Sequence, residues 1–173
     1  MIRSILTATD PRLRLTSKPV QKIDKKILSL VGDLVDTLTT QKNPEGVGLA
    51  APQIGKNLRV FAIKPEKEIE ILINPKILKQ SKDVKIDKKT AKIMEGCLSL
   101  VNHYGPLVRS KEIVVEYLDK TGQKHTQTFK DFDAQIVLHE VDHLNGVLFV
   151  DRLLESRKPL YELVNDEWYE VEI

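Results

Sequence analysis

The chain has 173 residues, 41 % hydrophobic and 30 % charged, enough apolar side chains for one core, and a single domain over 1–173 is expected. A formal charge of +2, with lysines scattered along the chain, excludes the basic stripe of a nucleic-acid surface, and no apolar run approaches the roughly 20 residues that span a bilayer. The start, "MIRSILTATDPRLRLT", has neither the apolar core of a signal peptide nor a transit-peptide pattern, and the lone Cys97 forms no internal disulfide, so a reducing cytoplasm is the expected location.

Behind Asp24 as N-cap, Ile27, Leu30, Val31, Leu34, Val35 and Leu38 recur at steps of three and four, which predicts an amphipathic helix to about Gln41. Asn43, Pro44, Gly46 and Gly48 end that period. "EGVGLAAPQIG", Glu45 to Gly55, formally satisfies a dinucleotide fingerprint, but a helix precedes it instead of a strand, and Pro52 and Gly55 follow at once, so nucleotide binding is rejected. Two readings of this loop stay open: glycines that let backbone approach a ligand while Gln53 donates its amide to a carbonyl oxygen, or glycines that only satisfy turn geometry.

"LRVFAI" (58–63) and "IEILINP" (69–75) are short and β-branched and read as strands. The basic, weakly alternating 79–93 segment reads as a solvated hairpin or edge ribbon. A clear hairpin follows: Ile113, Val115 and Tyr117 alternate, Asp119 to Gly122 turn the chain, and alternation resumes through His125, Gln127 and Phe129, with His125 on a solvent-exposed face. Asp131 or Asp133 then caps a helix with an apolar face of Ile136, Val137, Val141 and Leu144, closed by Asn145 and Gly146 as a left-handed C-cap. "VLFVDRL" after it reads as a short strand or extended segment, and the terminal "WYEVEI" alternates again.

Chemistry concentrates in "VLHEVDHLNG". On a helix, residues four apart stack on one face with Cβ atoms about 5–6 Å apart, so His139 and His143 can converge on one ion. Glu140 points about 100° away and cannot easily be a ligand, yet it reaches a water beside the ion. A catalytic divalent ion takes three protein ligands and keeps one position for water. Cys97, His103, Glu95 and His125 all have the chemistry for the third; Cys97, an unpaired thiol in the turn-like "EGCLS", suits a borderline or soft metal best.

Three segments, "GVGLAAPQIG", "EGCLS" and "HEVDHLNG", in this order and at these separations, resemble the peptide deformylases, and "DPRLR", "LINP" and "VDRL" extend the likeness over nearly the whole chain. The resemblance implies an α+β fold, with antiparallel or mixed sheets packed around a C-terminal HExxH helix and an N-terminal helix. It also implies removal of the N-formyl group from the formylmethionine of nascent chains, with the ribosome as the place of encounter; a monomer is the default expectation for the chain. Carried onto this chain, it makes Cys97, His139 and His143 the ligands of one ferrous ion, with zinc or nickel often found in isolated protein. Glu140 becomes the general base and acid, and Gln53 with the Leu98 N–H the holders of the carbonyl oxygen. Val47, Gly48, Glu95 and Ile136 are candidate walls of the substrate slot, and Arg109 stands where the family keeps an arginine. Val101, Tyr104 and Leu138 depart from the family pattern, which bears on the grip on the peptide and not on the ligands.

Overall fold

The structure, a computed structural model, describes residues 1–65, 68–81 and 94–172. Of the ribbon expected over 79–93, only Lys79 to Ser81 falls within these residues.

The first helix, α1 (Lys25–Thr40), starts where the pattern places it: the Asp24 carboxylate accepts the Lys26 and Ile27 amides at 2.9 and 3.0 Å, satisfying two of the donors that a helix start leaves unpaired. Among the described residues nine strands follow in two sheets, and every pairing between these strands is antiparallel. The five-stranded sheet has the order β1 (Gly48–Ala50), β2 (Val60–Ile63), β3 (Glu70–Gln80), β6 (Glu112–Leu118), β7 (Lys124–Lys130). The four-stranded sheet runs β4 (Glu95–Cys97), β5 (Leu100–Gly105), β8 (Leu160–Val164), β9 (Glu167–Val171).

Alternation along the strands puts two cores on the two faces of the larger sheet. Val60, Ala62, Ile71 and Ile73 face α1 with Leu34 and Leu38; Phe61, Ile63, Leu72, Ile113, Val115 and Phe129 face the second helix, α2 (Asp131–Leu144), with Val137, Val141 and Leu144. A third cluster, Leu107, Phe149, Leu153 and Leu160, joins the smaller sheet to α3 (Phe149–Glu155). Each of these large side chains contributes about 1.5–3 kcal/mol when removed from water, which holds α2 in place despite its polar residues. From Ala134 to Leu144 every residue of α2 is buried, so His139, Glu140, Asp142 and His143 must find partners inside the protein.

The exit from α2 is sharp. The Gly146 N–H bonds the His143 carbonyl and the Val147 N–H the Asp142 carbonyl at 2.9 Å, with Gly146 at φ +74°: a Schellman ending, as the Asn-Gly pair predicts.

Three expectations are corrected. Neither Asp131 nor Asp133 caps α2; Lys130 holds the cap position without a side-chain bond, and the two acids lie in the first turn, where the helix dipole favours them. "VLFVDRL" is helical from Phe149, because the Asp151 carboxylate accepts the Leu148 N–H at 2.8 Å and Phe149 and Leu153, four apart, are the residues that bury. His125 is not simply solvated: it stacks on Tyr117 and contacts Asp119 Oδ2 at 2.7 Å. No helix among the described residues is long and apolar enough to cross a membrane.

Candidate active site

α2 carries two imidazoles to the edge strand β4, where the chain presents Cys97. His143 Nε2 lies 3.2 Å from Cys97 Sγ and 3.2 Å from His139 Nε2, and the three donor atoms all fall within 4.8 Å of one another. Around a tetrahedral ion with bonds of about 2.0–2.1 Å to nitrogen and about 2.3 Å to sulfur, donor atoms stand roughly 3.3–3.6 Å apart, and the two sides of this triangle that meet at His143 are already close to that spacing. Of the four candidates for the third ligand, only Cys97 joins the pair. His103 bonds the Val101 carbonyl at 2.9 Å, His125 belongs to the distant hairpin, and Glu95 supports His139 from behind.

That support is dense. His139 Nδ1 meets Glu95 Oε1 at 2.6 Å, which fixes the ring and leaves Nε2 toward the cluster; Gln135 Nε2 donates to Glu95 Oε2 at 3.2 Å. Arg109 donates two bonds of 2.7 Å to Glu95 and one of 2.9 Å to Asp142, which also accepts from Arg152. Burial pushes the Glu95 carboxyl up, but the Arg109 fork and His139 outweigh it and hold it at about 2. Burial likewise raises the Cys97 thiol, and the facing His143 and His139 reverse this and bring it well below the ordinary thiol value. His139, which burial alone would lower, is held well above its ordinary value by the Cys97 sulfur and Glu95.

Glu140 lies on the neighbouring face of α2, and burial lifts its carboxyl to about 7 against the pull of His139 and His143. Its Oε2 is buried with no partner among the described residues. Beside it opens a cavity of about 200 Å³ lined by Val47, Gly48, Gln53, Glu95, Cys97, Leu98, Ile136, His139 and Glu140 among others. The Gln53 carbonyl accepts the Ala50 N–H at 2.8 Å, which aims its amide nitrogen at Ser99 Oγ (3.2 Å) and Cys97 Sγ (3.6 Å).

Arg109 is not on the cavity wall; its guanidinium is taken up by Glu95 and Asp142, so it positions Glu95 and through it His139. Sequence reasoning assigned nothing to Ser99, whose N–H points at Cys97 Sγ at 3.4 Å and whose hydroxyl accepts from Gln53. It also passed over Gln135, one turn before His139 on the same helix face, a spacing that could have found it. Leu100 and Phe132, which no pattern marked, complete an apolar part of the lining together with Tyr104, one of the departures from the family pattern.

An α+β scaffold that sets a His-X3-His helix, a thiolate and an unpaired carboxylate around one cavity defines a metal-dependent hydrolase. The family model described as polypeptide deformylase matches residues 2–159. The peptide deformylase of Pseudothermotoga lettingae is 39 % identical over 158 residues, 91 % of this chain and 86 % of that one. Among solved structures, the peptide deformylase of Legionella pneumophila superposes with a TM-score of 0.78 at 38 % identity, covering 88 % of this chain and 86 % of its own. A class I type b peptide deformylase from Acinetobacter baumannii, solved with Met-Ala-Ser bound, gives 0.77 at 30 % identity, with 88 % and 98 % covered. The chain belongs to the peptide deformylase family, metal-dependent hydrolases that remove the formyl group from formylmethionyl peptides.

Proposed function

We propose that this chain, as a single catalytic domain, hydrolyses the formamide of N-formylmethionyl peptides to formate and a free amine, with Cys97, His139 and His143 holding one ferrous ion and Glu140 moving the protons. The observation that carries this reading is the donor triangle of Cys97, His139 and His143 beside the buried, unpartnered oxygen of Glu140. Zinc or nickel can take the same ligands. A divalent ion in that position supplies Lewis acidity, lowering the pKa of a water and polarising the formyl oxygen.

The chain's own groups do the rest. Glu140, with a carboxyl near 7, accepts a proton from the attacking water at neutral pH and returns it to the leaving nitrogen as the C–N bond breaks. The Gln53 amide and the Leu98 N–H donate to the oxygen of the formyl group as it gains negative charge; both residues line the cavity, and Gln53 is already fixed by its bond to Ala50. Val47, Gly48, Glu95 and Ile136 narrow the space around the reacting carbon, so that a formyl group, bearing only hydrogen, enters where an ordinary peptide carbonyl does not. The substrates are nascent chains in the cytoplasm, met at or near the ribosome by a monomeric enzyme; the lone thiol suits a reducing compartment.

The test is Glu140→Gln in protein loaded with iron without air. Formate release from formyl-Met-Ala-Ser should fall by about 10²–10⁴-fold while one ion per chain remains bound. Full activity in this variant removes Glu140 from the mechanism. Cleavage of unformylated peptides faster than formylated ones would instead make the protein an endopeptidase.

A further inference from the structure

The match to the family model ends at residue 159, and the hairpin of β8 and β9 begins at Leu160. It is nonetheless joined to the site, because β8 pairs with β5 through His103↔Glu162 and Tyr104↔Tyr161, and β5 pairs with β4, which carries Cys97. The two faces of this sheet differ. Gly105 and Leu160 lie against α3, where a Cβ on Gly105 would strike Leu153, and that face is closed. On the other, the register aligns Tyr104 with Tyr161 and Leu163 with Trp168, and this face is left half open to solvent.

Tyr104 links that face to the cavity. Its ring lies over Gly96, where an added Cβ would come within 2.6 Å of it, and it forms part of the cavity wall. Trp168, 50 % exposed, meets the Tyr104 ring edge-on with centroids 5.4 Å apart. An exposed tryptophan on a two-stranded extension gains little by burial, so its fixed place against a cavity-wall tyrosine calls for another partner.

We infer that the Tyr104–Trp168 face of the C-terminal hairpin is a specificity surface that holds an aromatic or large apolar side chain of the substrate, downstream of the formylmethionine. The inference rests on the deformylase reading given above. Its occupant follows from continuity: Tyr104 is at once part of the cavity wall and the partner of Trp168, so a peptide seated in the cavity needs only a few extended residues, at about 3.3 Å each, to bring a later side chain alongside this face. The aromatic pair offers an offset or edge-on partner to such a ring, a contact that small or acidic residues do not make.

The experiment walks one phenylalanine through positions 2 to 5 of formyl-Met-Ala-Ala-Ala-Ala and measures formate release by the iron-loaded enzyme. Wild-type protein should favour phenylalanine over alanine at one or more positions by about three- to tenfold in kcat/KM, carried by KM. Trp168→Ala should erase the preference and Trp168→Phe should keep most of it. Trp168 is the one tryptophan of the chain, so its fluorescence should also shift when the product peptide with the favoured phenylalanine is added, and less with the all-alanine product. Formate release with no preference, or with a preference that survives Trp168→Ala, overturns the role of the hairpin and leaves the deformylase reading standing. Absence of formate release from every peptide overturns the deformylase reading and this inference with it.

Discussion

Gly48 and Glu140 are fitted to each other: a Cβ on residue 48 would stand 2.9 Å from the carboxyl carbon of Glu140 and 3.0 Å from Ile136 Cγ2. Both obstacles belong to the buried face of α2, so the Glu140 carboxylate can yield only by leaving its place beside the cavity. The glycine of "GVGLA" makes room for side chains of the protein's own helix, a requirement that neither reading of the loop from its sequence had named. Gly48→Ala should displace the Glu140 carboxylate while leaving Cys97, His139 and His143 in place. Shifts of about 1 Å in a reacting group can cost about 10²-fold, so formate release should fall by that order with the metal content unchanged. Loss of the metal in this variant would show that the substitution disturbs α2 as a whole.

Glu95 joins two systems, the buried Arg109 fork and the His139 ring. Glu95→Gln leaves a guanidinium in the interior with only Asp142 to compensate it, and it weakens the hold on the ring. Breaking a buried pair from one side costs about 3–5 kcal/mol, and losing the support behind a ligating histidine costs about 10–100-fold in metal affinity. Urea unfolding and competition with a chelator measure the two effects separately. A variant that unfolds earlier but binds metal as tightly as wild type would make Glu95 purely structural.

The pH dependence of that pair has a definite sign. The Glu95 carboxyl sits at about 2 in the folded protein and in its ordinary carboxylate range, near 4.5, in the unfolded chain. A folded value below the unfolded one means the unfolded chain takes up the proton first as acid is added. The stabilisation is therefore complete above about pH 5 and drains away as pH falls from 4.5 toward 2. In metal-stripped protein, the difference in urea midpoint between wild type and Glu95→Gln should be largest at pH 7 and shrink steadily between pH 5 and 3. A gap that stays constant over that range would mean the contribution of Glu95 does not depend on its charge.

What could be read from the residues follows from how local the cause is. α1 was legible because its apolar period runs for four turns and its cap is the residue immediately before it. The pair of His139 and His143 was legible because helical spacing alone brings them together. α3 was not: seven residues are too few to separate a period of 2 from one of 3.6, and the bond from Leu148 to Asp151 decides the matter. The environment of Arg109 was out of reach for a different reason. Its partners lie 14 and 33 residues away, and only the packing of β4 against α2 shows that the guanidinium faces them and not a substrate.

Gly146 is required twice over. Its φ of +74° lies in the left-handed region, and a Cβ there would come within 2.5 Å of the Arg14 carbonyl oxygen, a backbone atom that cannot rotate aside. The N-terminal segment is tied to the same place, since the Ser17 N–H bonds the Leu144 carbonyl at 2.8 Å. Gly146→Ala must therefore either strain the Schellman ending or push residues 14–17 off the end of α2. The left-handed conformation alone costs about 1–2 kcal/mol for a residue with a side chain, and the collision adds to it, so a loss of about 2–4 kcal/mol is expected. Gly146→Asn tolerates the torsion better but meets the same oxygen, so it should be destabilised nearly as much. If Asn instead restores most of the stability in thermal unfolding, the torsion is the dominant requirement and the contact with Arg14 is soft.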